Sequence, residues 1–140
     1  MPNPGPASAT TNHPQPLGSN QAIRLLASAQ GVNLNATGDT VLPVLNSGRY
    51  SVSNVIVTNA SISLTTAAAG LFSAPSAGGT GVVANAALSA CTGSTIVSQR
   101  TVASTAALTG PNLYFNVGTA QGAAATGDVF VYGYDLTFLP

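Results

Sequence analysis

The chain predicts an all-β fold, a β-sandwich of jelly-roll or Greek-key form with an extended N-terminal arm. Three observations carry that reading. About eight short β-type segments recur at roughly 8–12-residue spacing, punctuated by Gly, Asn, Ser and Pro. No stretch repeats its apolar residues with the 3.6 period of an amphipathic helix. Residues 1–20 form a compositional block of their own, with five of the chain's nine prolines in the first sixteen positions.

In that block each proline removes a backbone donor and pushes the preceding residue toward extended geometry. Neither a helix nor a central strand fits there. In polyproline geometry twenty residues reach ~60 Å. The expectation is an arm over 1–20 that docks on a neighbouring subunit through Pro2, Pro4, Pro6, His13, Pro14 and Pro16. The sandwich is expected over 21–140.

Gln21–Ala27 reads as a first strand or a short helical turn. Thr40–Leu45 is extended, and Pro43 demotes it to an edge or irregular strand, because proline cannot donate to a second neighbour. Asn46-Ser47-Gly48 supplies a turn. Arg49–Thr58 is the longest convincing strand, with Tyr50, Val52 and Ile56 expected on one face and Ser51 and Ser53 on the other.

After a turn at Asn59-Ala60-Ser61, Ile62–Thr65 and Ala68–Ser73 continue the sheet, and Pro75–Gly81 reads as a loop. Val82–Cys91, Ser94–Ala103 and Asn112–Val117 are further strands. Gly118–Gly127 is a loop of Ala, Gly and Thr. The final segment, Asp128–Phe138, sets Phe130, Tyr132, Tyr134, Leu136 and Phe138 against Val129, Val131, Gly133, Asp135 and Thr137. The aromatic side is expected to face the core. The alanine runs Ala67–Ala69 and Ala123–Ala125 have Gly and Thr beside them and no salt-bridge patterning, which argues against helix.

Charge is nearly absent. Arg24, Arg49, Arg100, Asp39, Asp128 and Asp135 make up 4% of the chain, against roughly a quarter in a typical soluble domain. Charge keeps free proteins soluble and apart, so a chain with so little of it is expected to work against other protein. Net charge is zero, which leaves a phosphate backbone no basic patch. The aromatic fraction of 6% gives no broad stacking platform, and no nucleic-acid partner is expected. No apolar run approaches the ~20 residues of a membrane helix, and no basic-then-apolar leader opens the sequence. Synthesis in a cytoplasm and no membrane partner are the expectations.

Little acid–base or metal chemistry is available. Asp39 follows Gly38 and Asp128 follows Gly127, so both read as turn or strand-start residues, and Asp135 reads as an arginine's partner. His13 is alone, Cys91 is alone, and Cys91 reads as a small apolar strand residue. Asn35-Ala36-Thr37 and Asn59-Ala60-Ser61 match the glycosylation triplet but read as strand-end turns. No nucleophile elbow, phosphate loop or dinucleotide fingerprint occurs. The chain is therefore expected to be no enzyme, with no cofactor and no metal. Arginine favours fixed interface pairing, and Arg49 beside Tyr50 is the candidate contact on the body.

The segment Ser47-Gly48-Arg49-Tyr50, followed by Val55-Ile56-Val57-Thr58-Asn59-Ala60-Ser61-Ile62-Ser63-Leu64-Thr65-Thr66, resembles small structural proteins of tailed bacteriophages. Leu113-Tyr114-Phe115 and Thr119-Ala120-Gln121-Gly122 through Val129 extend the resemblance to about residues 32–138. Size and proline-rich arm resemble capsid decoration, or cement, proteins. That resemblance implies a homotrimer with a jelly-roll or β-tulip body on the outer surface of the virion, over junctions of the major capsid protein. It carries over no catalytic residue. The alternative is a head-fibre or tail-associated module that binds a host-surface glycan through Tyr50, Tyr114, Tyr132 or Tyr134.

Overall fold

Eight strands make up the regular structure of residues 23–137, the part of the chain described by a computed structural model. They are β1 (Arg24–Asn33), β2 (Gly38–Pro43), β3 (Tyr50–Thr58), β4 (Ala68–Ala74), β5 (Gly78–Ala87), β6 (Val97–Arg100), β7 (Asn112–Thr119) and β8 (Thr126–Asp135). No helix occurs among the described residues. The arm over 1–20, with Pro2, Pro4, Pro6, His13, Pro14 and Pro16, lies outside them, as does Phe138.

The strands form two antiparallel sheets, ordered β1-β8-β3-β6 and β2-β7-β4-β5. Pairing is nested: β4 with β5, β3 with β6, β2 with β7 and β1 with β8. The second half of the chain therefore runs back along the first. Only the β4–β5 connection stays within one sheet; every other one crosses to the opposite sheet. β2, which ends on Pro43, is an edge strand, where the missing N–H leaves no ladder bond unmade.

The β4–β5 hairpin turns through Ser76 and Ala77, both at φ 56. That left-handed backbone costs an L-residue roughly 1–2 kcal/mol, so something must hold it. Asp39 does, accepting the Ser76 N–H at 2.7 Å while its other oxygen accepts Asn116 Nδ2, also at 2.7 Å. Asp39 thus stands at the start of β2, one of the two expected places for it, and holds the turn of another hairpin from there.

One hydrophobic cluster lies between the sheets. Leu26, Val52, Val55, Val57, Val129 and Val131 enter it from the first sheet, and Leu42, Leu71, Val83, Leu113, Phe115 and Val117 from the second. The loop residues Leu34, Leu64, Leu88 and Cys91 join the same cluster.

The sequence expectation for β8 is inverted. Val129, Val131, Gly133 and Asp135 are buried, whereas Phe130 and Tyr132 are half-buried and Tyr134 is exposed. Both faces of this segment are apolar, so alternation alone does not choose between them. In β3, a bulge between Val52 and Asn54 reverses the side-chain parity. Tyr50 and Val52 share the inward face, but beyond the bulge Val55 and Val57 are buried and Ile56, expected on the face of Tyr50 and Val52, is turned out.

Other boundaries shift. β1 starts at Arg24 and β5 begins at Gly78, inside the expected loop. Ile62–Thr65 is irregular, and the strand expected over Ser94–Ala103 shrinks to Val97–Arg100. Cys91 is buried as expected but lies in a connection, not a strand.

Candidate functional site

The outward face of the β1-β8-β3-β6 sheet is where the inverted β8 places its aromatic side chains. Phe130 is registered with Ser28 of β1 and Ile56 of β3, and Tyr132 with Leu25 and Asn54. Tyr134 is opposite Ser51. Gln99 of β6 extends the Phe130–Ile56 row. None of these positions is charged. The Asn54 Oδ1 atom is closed off from solvent and has no hydrogen-bond partner among the described residues. The outward face of the second sheet has a similar row, in which Val41 and Phe72 flank Tyr114 and Val41 is 51% exposed.

At one end of the first sheet the charges are gathered for structure. Asp135 is buried, and its Oδ1 accepts the Ser47 hydroxyl at 2.9 Å and the Thr137 N–H at 3.0 Å. The Thr137 hydroxyl donates to the same oxygen, and the Arg24 guanidinium is 3.6 Å from Oδ2. Burial alone would push the Asp135 carboxyl up. The hydrogen bonds from Thr137 and Ser47 and the Arg24 charge outweigh it, and the carboxyl ends below the usual carboxylate range. The expected arginine partner is thus Arg24, which also donates to the Leu45 carbonyl.

Arg49 and Tyr50 separate. Arg49 is exposed, and its guanidinium makes no ion pair or hydrogen bond among the described residues. Tyr50 is fully buried, its hydroxyl donating to the Gly110 carbonyl at 2.9 Å. Burial raises its phenol above the ordinary value. The Tyr50 ring therefore offers no surface to a protein or a glycan, which corrects the expectation that it is a contact residue. Alternate residues of a strand face opposite ways, so adjacent Arg49 and Tyr50 do not share a face.

Asp128 accepts the Gly31 N–H at 2.8 Å and Asn59 Nδ2 at 3.0 Å. With Asp39 and Asp135 similarly engaged, each acid holds its own set of loops, and no two share a partner. No group of three or more His, Cys, Asp and Glu side chains gathers among the described residues.

Sequence reasoning missed Gln121. Buried two residues past the end of β7, it accepts the Thr66 and Ala67 N–H groups at 3.1 and 3.0 Å and donates to the Ser63 carbonyl and the Thr65 hydroxyl. The available signal was one long amide in a loop otherwise built of Ala, Gly and Thr. Arg100 was likewise treated as one arginine among three.

Comparison of the chain with family models, characterised proteins and solved structures finds no match. The likeness to phage structural proteins rests on the sequence segments quoted above.

Proposed function

We propose that this chain is a structural virion protein, a capsid cement or decoration protein that stabilises a phage head by binding across major capsid protein junctions. The observation that supports this best is the outward face of the first sheet, where Phe130, Ile56, Tyr132 and Tyr134 stand in adjoining rows and Asp128, at the far end of β8, is the one charge that strand turns outward. Apolar area set among neutral polar side chains suits repeated contact with other subunits.

The pairing pattern supports a jelly-roll reading. A long antiparallel hairpin rolled into two layers gives nested pairs and a connection that changes sheet at every step but the central one. In this proposal the molecules associate as a homotrimer on the outer surface of the capsid after synthesis in the host cytoplasm. The proline-rich arm, through Pro2, Pro4, Pro6, His13, Pro14 and Pro16, reaches across a capsid seam, and Arg49 adds a contact from the body. Many weak contacts repeated over a lattice resist internal pressure by mass action. The function needs no catalytic residue, metal or cofactor, and each carboxylate already has a structural task.

The experiment is a cryo-EM map of the encoding phage's particle, with and without residues 1–20 of this chain. The proposal expects density for the body over capsid junctions, and loss of decoration by a truncated chain that still folds. Density confined to the tail, or undiminished decoration after truncation, refutes it. The second reading, host-glycan binding, is favoured by the outward Tyr132 and the exposed Tyr134, since sugars stack on aromatic faces. Specific glycan-array binding that is lost in Tyr134→Ala would select it.

A further inference from the structure

Among the described residues β5 and β6 are edge strands of opposite sheets, and a cavity of about 210 Å³ lies between them. Val83, Ala84 and Ala86 of β5 line one side, and Gln99, Arg100 and Thr101 the other. Arg100 is registered with the inward-facing Val55, so its side chain leaves β6 on the core side of the sheet. It crosses the gap to donate to the Ala87 and Ala86 carbonyls at 2.8 and 2.9 Å, and to Ala69 at 3.5 Å.

Two features of this arginine are unspent. Its three hydrogen bonds leave two of the five guanidinium N–H groups without an acceptor among the described residues. Among the described residues its charge faces neutral carbonyl groups and the nearby Cys91 thiol, while Asp39, Asp128 and Asp135 are engaged elsewhere. Partial burial makes that costly and draws the guanidinium's affinity for its proton down, which an anion would reverse.

The β5 backbone supplies the rest. Val83 O and Asn85 N approach Gly70 of β4, so Val82, Ala84 and Ala86 direct their N–H and C=O groups to the free edge. Val82 O is taken by the Ala103 N–H at 2.7 Å and Ala86 O by Arg100. Ala84 between them has no strand partner on that side among the described residues, and it lines the cavity.

We infer that this cleft binds an extended acidic segment of another protein, which pairs with the Ala84 edge and places one Asp or Glu carboxylate on Arg100. A single cation in an otherwise neutral, mostly aliphatic cavity matches a monoanion on a peptide better than a dianionic phosphate. Strand addition at an edge supplies main-chain bonds, and the arginine supplies selectivity. The inference stands on this edge alone, whether or not the partner is a capsid subunit.

The test titrates the isotopically labelled full chain with an end-blocked Thr-Val-Asp-Val-Thr peptide, its Asn counterpart, and acetate, following backbone amide shifts. The Asp peptide is expected to bind at least about tenfold tighter than the Asn peptide. Shifts should centre on residues 82–87 and 99–103, and raised salt or Arg100→Gln should remove the Asp advantage. Equal affinity of the two peptides, shifts centred elsewhere, no shifts at all, or acetate binding as tightly as the Asp peptide overturns the proposal. The peptide comparison uses the unaltered chain, so it decides the matter even if Arg100→Gln fails to fold.

Discussion

The Arg24 guanidinium lies 3.6 Å from the buried Asp135 carboxylate, joining the start of β1 to the end of β8. Ser47 and Thr137 complete the same network, so one acid ties the β2–β3 connection and the chain beyond β8 to the first sheet. Its carboxyl is held below the ordinary value in the folded chain. The stability this adds is present in full above the unfolded value near ~4 and is lost as pH falls through the lower folded value. Asp135→Asn should therefore cost about 1–3 kcal/mol at pH 7. Urea denaturation should show that gap closing in strong acid; a gap equally large at both pH values contradicts the assignment.

Alkali should weaken the fold through two other groups. Burial raises the Tyr50 phenol, and it raises the Cys91 thiol against the opposing pull of Ser98 and Arg100. The unfolded chain ionises these types from about 8.5 for Cys and about 10 for Tyr, while the folded chain keeps the protons. Stability present at neutral pH is then lost as pH climbs through that range. Tyr50→Phe should lose about 1 kcal/mol at pH 7 with its bond to Gly110, and should flatten the fall above pH ~10. Thermal melts from neutral to strongly alkaline pH check both effects, and an unchanged alkaline slope in the variant would count against the Tyr50 assignment.

Gly133 sits where three strands close together. A Cβ there would fall 2.0 Å from the Ser51 carbonyl oxygen and 2.8 Å from Leu26 Cδ1. The carbonyl belongs to backbone and cannot swing aside. Gly133→Ala should cost about 3 kcal/mol, the upper range for overpacking. Gly93→Ala, with nothing within 4 Å and no left-handed backbone, should stay within about 0.5 kcal/mol. Equal losses in the pair of variants would show that the close approach is not what matters.

Gln121→Ala would strand the Thr66 and Ala67 N–H groups without their acceptor. Each buried amide left unsatisfied costs about 1–3 kcal/mol, although water entering the new space recovers part of it. The expected loss is about 2 kcal/mol, with faster amide exchange confined at first to residues 63–67. Exchange that rises evenly over all eight strands would instead mark Gln121 as ordinary packing.

Strand number, the absence of helix and the edge position of Pro43 were legible because Gly, Asn and Pro punctuate the chain and proline chemistry is local. Facing was harder to read. In β8 the valines and the aromatics alternate, so a period of two fits either orientation, and the partners at the sheet's end decide it. Asp135 faces inward because Arg24 and Ser47, the latter 88 positions away in chain order, meet it there beside the neighbouring Thr137, and no local pattern encodes the two distant contacts. The β3 bulge is of the same kind: it adds one residue against β8, and Ile56 changes sides. Arg49 could be placed on the surface from sequence, whereas the burial of adjacent Tyr50 follows from its bridge to Leu108 and its bond to Gly110.

The proposed capsid binding is tested most directly by co-sedimentation of the purified chain with the empty phage heads it is proposed to decorate. The native chain should saturate the heads, and the double variant Tyr132→Asp, Tyr134→Asp should bind at least about tenfold more weakly while keeping its β spectrum, since burying unpaired charge in an interface is costly. Failure of the native chain to sediment with the heads, or undiminished binding by the charged variant, would contradict the claim that this aromatic face meets other protein.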